Sequence, residues 1–225
     1  MLLEDMLKLH IPAQFGTNED YEITGPIDYI LRQLDRIEGK FRTAWGVSQF
    51  VIVNDEWKWV IKIPFGGGYA LQFSDDDLWE ENGDYIEVWE DWEHDYCKLS
   101  VDIYNKAKKY GVAPIFAVTK FFGKTVEGSD IYIQEKIAED YADSAKTNCS
   151  EGSLKKAQYN SKHCKGWGRF QTDWLAKAID CYGIDLVNNF IQFCTVNKID
   201  DTHRYNYGYR ADGSPVIFDY ASFDE

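Results

Sequence analysis

The stretch Ile199–Phe223, IDDTHRYNYGYRADGSPVIFDYASF, constrains this 225-residue chain more than any other. It sets Asp201, Asn206 and Asp219 at separations of five and thirteen residues. The tract Ala211-Asp212-Gly213-Ser214 is rich in turn formers, and Pro215–Tyr220 is mostly apolar. A hairpin therefore fits between Tyr207 and Tyr220. Such a hairpin folds Asp219 back toward Asn206. It gathers a carboxylate able to accept a proton with a carboxylate and an amide able to hold Mg²⁺, a cation that takes hard oxygen ligands. An ordinary helix–turn–hairpin with surface acids fits the same letters.

These spacings resemble the catalytic and metal-binding loops of the protein-kinase-like superfamily, including its aminoglycoside phosphotransferase branch. There a catalytic Asp precedes a metal-binding Asn by five residues, and a metal-binding Asp follows. His203 completes a D-x-H-x-x-N pattern similar to the phosphotransferase version. Ile199-Asp200 replaces the usual H-R, and Asp219-Tyr220-Ala221 replaces D-F-G. The wording NYGY…DGSPVIFDYASF also resembles small kinase-like proteins encoded by tailed phages.

The resemblance extends upstream. Trp57–Phe65 reads as a strand after the Asn54-Asp55 turn, with Lys62 inside Val60-Ile61-Lys62-Ile63-Pro64. A lysine in an apolar strand is costly unless paired. The family's strand lysine grips the α/β-phosphates and pairs with a helix glutamate, so the resemblance implies that role for Lys62. A strand lysine facing solvent is the plainer reading. Gly39 stands where the family's nucleotide-covering loop has several glycines, and a β-turn fits equally. From Tyr85 to Gly111 the apolar residues follow helical spacing, with Gly111 as C-cap. On that helix Glu93 is the candidate partner of Lys62, unless Ser100 occupies the position. Ile131–Lys136 resembles the last strand of the small lobe, and backbone groups near Glu135–Ile137 would then read the adenine edge.

The acids are unevenly placed. Net charge is −14, and eleven Asp and Glu fall in Ser74–Tyr96 without a Lys or Arg. This argues against a partner bound through a phosphate backbone, which needs clustered cations. Hydrophobic residues at 44% and aromatics at 16% give a globular chain with a sizeable core. The five scattered cysteines lack C-x-x-C pairing and read as reduced thiols, as in a cytoplasmic protein. The N-terminus has no basic region of a signal peptide, and no apolar run is long enough to span a membrane. Residues 1–25 resist assignment, Ile27–Ile37 reads as a helix, Gly66-Gly67-Gly68 as a loop opening, and 139–166 as an insertion or mobile loop. Ile115–Phe122 reads as a strand, and Trp167–Cys181 and Ile184–Val196 as helices.

The resemblance thus implies an α+β, two-lobed kinase-like fold. Its N-lobe, residues 1–136, holds an N-terminal extension, an antiparallel sheet and an acidic helix. A reduced helical C-lobe, residues 137–225, holds the loops. It ends six residues after Asp219, so it is expected to lack the segments that hold an acceptor. The implied function is a minimal phosphotransferase using ATP and Mg²⁺, acceptor undefined: Asp201 and Lys62 catalytic, Asn206 and Asp219 on the metal, and Gly39, Lys62, Glu93, Glu135 and Ile137 around the nucleotide. The alternative is a pseudokinase-like protein that engages a basic host partner through its acidic helix, without catalysis.

Overall fold

The computed structural model describes residues 3–11, 15–17, 23–24, 27–36, 40–46, 48–73, 85–91, 95–137 and 148–221. The elements run β1 (Gly16–Thr17), β2 (Ile23–Thr24), α1 (Ile27–Asp35), β3 (Phe41–Trp45), β4 (Gln49–Asn54), β5 (Trp59–Pro64), β6 (Gly67–Phe73) and β7 (Tyr85–Asp91). They continue with α2 (Tyr96–Tyr110), β8 (Thr119–Lys124), β9 (Asp130–Glu135), α3 (Glu151–His163), α4 (Thr172–Tyr182), α5 (Ile184–Val196), β10 (Tyr207–Tyr209) and β11 (Pro215–Ile217). The fold is mixed α and β, with a five-stranded antiparallel sheet and several helices. The chain forms two compact units: Met1–Lys98 with Phe121–Ile133, and Leu99–Lys120 with Gln134–Glu225. Residues 99–120 precede the expected boundary at 136 and count with the second unit.

The first unit contains two sheets. In the five-stranded sheet the order is β3-β4-β5-β9-β8, which puts β5 in the middle. The β3–β4 and β4–β5 pairings are antiparallel, and Lys62 lies opposite Val51. β4 alternates intermediate and buried positions, as a strand with one covered face should. β5 instead buries Ile61, Lys62 and Ile63 in succession, the pattern of a strand covered on both faces. The core also takes Met6, Leu9 and Ile11 from around the N-terminal 3₁₀ turn Leu3–Lys8, and Ile30 and Leu34 from α1. Phe15 packs edge-on against Phe50 and Phe65, with ring centroids 5.6 and 5.1 Å apart.

The second sheet corrects the sequence reading. Its order is β2-β1-β6-β7, and β6 pairs antiparallel with β7 from Gly67↔Asp91 to Phe73↔Tyr85. The expected loop opening after Gly66 is therefore a strand from Gly67, and the expected helix from Tyr85 is a strand to Asp91. The helix begins only at Tyr96. Tyr, Ile, Val and Trp favour a pleated surface, and an available partner strand decides between two periods that a short apolar run satisfies equally. The acidic helix is thus not a helix at Glu87, Glu90 and Asp91. Gly39, Asp75–Asp77 and Glu93 lie outside the described residues.

The second unit is mainly helical. α2 ends as expected at Gly111, whose φ is 81°. Val112 N–H donates to the Ala107 carbonyl at 3.0 Å and Gly111 N–H to Lys108 at 3.3 Å, a Schellman ending that needs left-handed backbone. The expected loop over 139–166 contains α3, and its residues 139–147 lie outside the described residues. Ser150 caps α3 by accepting from Ser153 N–H at 3.2 Å, with Glu151 in the first turn. Few apolar residues mark this helix, so the composition hid it, but the cap and dipole order were readable. The strand expected from Ile115 starts at Thr119, because Pro114 opens a 3₁₀ turn over Ala113–Ile115. The helix expected from Trp167 is a 3₁₀ turn over Trp167–Arg169 followed by α4. α4 and α5 meet at Gly183, and α5 has the expected limits.

Candidate functional site

The hairpin joining β10 and β11 builds the site. Tyr207 faces Ile217, Gly208 faces Val216 and Tyr209 faces Pro215. Arg210 N–H donates to the Ser214 carbonyl and Gly213 N–H to the Arg210 carbonyl, both at 2.9 Å. Gly213 takes a φ of 80°, which lets the three-residue turn close. Asp212 accepts from Ser214 N–H at 2.9 Å and from its hydroxyl at 2.7 Å. These bonds, the hydroxyl's first, hold the Asp212 carboxyl below the usual range. The register brings Asn206 opposite the chain leaving β11. Phe218 N–H and Asp219 N–H both donate to the Asn206 carbonyl, at 2.9 and 3.2 Å.

Asn206 is buried, at 4% exposure. Its side-chain Nδ2 donates to the Asp201 carbonyl at 2.7 Å. That bond spans the five-residue interval and fixes which way the amide faces. Its Oδ1 accepts from no described residue, and the Asp219 carboxylate likewise has no side-chain partner among the described residues. Two hard oxygen donors on adjacent backbone are thus left over after everything around them is bonded. They suit Mg²⁺, which is usually held by one or two protein oxygens together with substrate phosphates. Among the described residues no group of three or more His, Cys, Asp or Glu could hold a metal by itself.

Asp201 is exposed. The His203 Nδ1 accepts from Tyr205 N–H at 3.2 Å. The proton of the neutral ring then sits on Nε2, which lies 3.3 Å from Asp201 Oδ1. The two groups are close enough to attract when the ring is charged, without a hydrogen bond between them. Asp200, the neighbour, pairs with Arg169, and the Thr202 hydroxyl donates to the Arg169 carbonyl at 3.0 Å. The loop is held on both sides of Asp201 while Asp201 itself faces solvent. Behind it, Trp174 Nε1 donates to the Gly208 carbonyl at 3.2 Å, and Phe170, Trp174, Phe190 and Tyr207 stack into one cluster.

Glu135 was expected to act through its backbone. Its N–H donates to the Val118 carbonyl at 2.8 Å. Its carboxylate has a separate job. Arg210 binds it in a fork, Nε to Oε1 at 2.7 Å and one terminal nitrogen to Oε2 at 3.1 Å. The same guanidinium donates to the carbonyls of Pro114 and Phe116 and to the Tyr182 hydroxyl. Burial alone would lower the Arg210 guanidinium, but bonding and charge attraction to Glu135 outweigh it and raise it. Arg210 was not singled out from sequence, because an arginine before a turn carries no signal of its partners.

A second missed group flanks Asp219. Gln134 Nε2 donates to the Phe218 carbonyl at 2.7 Å and to Thr119 Oγ1 at 2.8 Å. The Tyr220 hydroxyl meets Thr119 Oγ1 at 2.7 Å and donates to the Ala117 carbonyl at 3.0 Å. Burial pushes the Tyr220 hydroxyl well above its usual range. A glutamine within the apolar run Ile131-Tyr132-Ile133 was the readable signal, since buried amides are rare without partners.

In the first unit Lys62 is 5% exposed, and no described residue accepts a hydrogen bond from its ammonium. Ser100, the other candidate for its partner position, is buried on α2 in the second unit. No protein-family model matches the chain, and no curated protein matches it. No helix among the described residues is long and apolar enough to cross a membrane.

Proposed function

We propose that this chain is a kinase-like phosphotransferase that binds a nucleoside triphosphate with Mg²⁺. The observation that carries the reading is Asn206: its amide nitrogen is tied to the Asp201 carbonyl at 2.7 Å, so its oxygen faces away and stays available. The carboxylate of Asp219, on the chain leaving β11 beside it, has no side-chain partner among the described residues either. Support also comes from order along the chain. An antiparallel sheet carries Lys62 on its middle strand, and a helix, α2, follows later, after the strands β6 and β7.

In this reading Asn206 and Asp219 hold Mg²⁺, which would neutralise phosphate charge as the terminal phosphoryl group moves. Lys62 binds the phosphates, and backbone groups near Glu135–Ile137 meet the adenine edge. Asp201 orients the acceptor hydroxyl and takes its proton. The hydroxyl oxygen bonds to the terminal phosphorus, the bond to the bridging oxygen breaks, and the nucleoside diphosphate leaves. Catalysis of this kind is positioning and charge stabilisation, to which the fixed Asn206 amide and the nearby carboxylates would contribute. The acceptor's chemistry is left open.

The test is a thermal-denaturation series with ATP and Mg²⁺ separately and together, followed by transfer from labelled ATP. Mg·ATP is expected to raise the melting temperature of wild type and of Asp201→Asn. Transfer to the protein itself or to an added hydroxyl compound is expected only from wild type. Absence of any shift at millimolar Mg·ATP overturns the reading.

A further inference from the structure

Asp219 is held on both sides, while its carboxylate has no side-chain partner among the described residues. Its own N–H is bonded to Asn206, the carbonyl before it to Gln134, and the side chain after it to Thr119 and Ala117. The residues that do this are among the most enclosed polar groups described: Thr119 and Tyr220 are 1% exposed and Gln134 is 2% exposed. Tyr220 also packs edge-on against Phe116, with centroids 5.1 Å apart and rings at 86°.

A core does not need these polar atoms. Phenylalanine at 220 would keep the ring contact, and an aliphatic residue at 134 would suit its apolar neighbours. Burying an amide and two hydroxyls carries a desolvation cost that hydrogen bonds only offset. What such a network adds is direction, because each bond is angular and the set is satisfied in one arrangement. Here the direction is imposed on the peptide group before one carboxylate and on the side chain after it, and that carboxylate has no side-chain partner among the described residues.

We propose that Gln134 and Tyr220, joined through Thr119, are positioning residues that aim the Asp219 carboxylate at its metal ion. The inference rests on the reading of Asp219 as a Mg²⁺ ligand. The network acts before any ligand arrives: it removes the alternative orientations that an aspartate beyond the end of a short strand would otherwise sample. Residues that orient a metal ligand from behind typically change metal affinity about 10–100-fold when replaced.

The variants are Gln134→Met, Tyr220→Phe and Thr119→Val, with Thr119→Ser as the conservative partner that keeps the hydroxyl. Mn²⁺ is the probe, titrated by electron paramagnetic resonance in the presence of ATP, well below each variant's melting temperature. A second readout needs no metal: hydrogen exchange at the Asp219 amide. Weaker Mn²⁺ binding by about 10-fold or more in the three disrupting variants is expected. Faster Asp219 exchange should accompany it, with both restored in Thr119→Ser. Metal-free ATP binding should stay as in wild type. If the disrupting variants lower only the melting temperature and bind Mn²⁺ as wild type does, the network is structural and the inference is overturned. If wild type binds no Mn²⁺ with ATP, the metal reading of Asp219 fails, and the positioning inference falls with it. Should Tyr220→Phe not fold, Thr119→Val against Thr119→Ser decides the same question.

Discussion

The two candidate centres are built in opposite ways. Lys62, in the first unit, is a single charge inside an aliphatic strand, flanked by Ile61 and Ile63, and no described residue takes its protons. In the second unit Asn206 and Asp219 sit in a mesh where backbone and side-chain groups are bonded in turn and two oxygens remain. The first arrangement draws no described hydrogen bond from the side chains around it. The second is held by its own hydrogen bonds. A lone buried cation makes sense where an anionic ligand completes it. A bonded mesh makes sense where orientation must exist beforehand.

Four measurements sharpen or break this contrast. The largest effect is expected from Arg210→Ala. Removing one partner of the forked pair leaves Glu135 in a half-buried place, and about 3 kcal/mol of stability should be lost in urea denaturation. A double-mutant cycle with Glu135→Gln should then show strong coupling, whereas additive losses would mean the mesh is not what holds the second unit. Next, Mg·ATP at a hundred times its dissociation constant should add about 2.7 kcal/mol to wild type. In Asn206→Ala and Asp219→Ala the Mg²⁺-dependent part should vanish; its survival in both would remove the two oxygens from the site.

Lys62→Met should do the reverse of those variants. It puts an apolar side chain between Ile61 and Ile63 on a covered strand, so stability without ligand should rise by about 1 kcal/mol, as substitutions at functional positions commonly do. Nucleotide affinity should fall in the same variant. A drop in stability instead would mean that Lys62 is satisfied in solution and the contrast between the units is false.

The smallest effect concerns acid. Asp180 accepts from the Ser153 hydroxyl at 2.6 Å and from the Ser150 hydroxyl at 2.8 Å and N–H at 2.5 Å. The Ser153 bond is foremost in lowering its pKa below the ordinary 3.8. A carboxyl depressed by folding contributes in full above its unfolded value and loses that contribution as pH falls through the folded one. The start of α3 should therefore loosen only below about pH 4. Asp180→Asn should flatten that acid limb when helix content is followed by circular dichroism. An unchanged acid limb in the variant would assign the transition to other carboxylates.

Much of the hairpin was legible because its signals are local. Turn formers at 211–214 and an apolar run after them specify a register, and the register alone puts Asn206 beside Asp219. The cap at Gly111 and the limits of α5 were legible for the same reason. The β6–β7 pair was not. Tyr85–Asp91 satisfies a helical and a strand period over so short a length that only its partner, Gly67–Phe73, could decide. α3 was missed because its buried face is small, Ser153 and Ala157, and hydrophobic period is a weak signal when little is buried.

The sequence by itself determined the order of candidate groups, Lys62 before Asp201, Asn206 and Asp219, and the spacing that one hairpin turns into adjacency. Only the tertiary structure decided what surrounds them. The Arg210–Glu135 fork spans seventy-five residues and the Gln134 bond to Phe218 eighty-four. A hydrogen bond depends on where an atom lies in space, and nothing in the neighbouring letters records a partner that distant. Local turn and strand preferences are written in consecutive residues, whereas the orientation of a carboxylate is set by groups that meet only once the chain has packed.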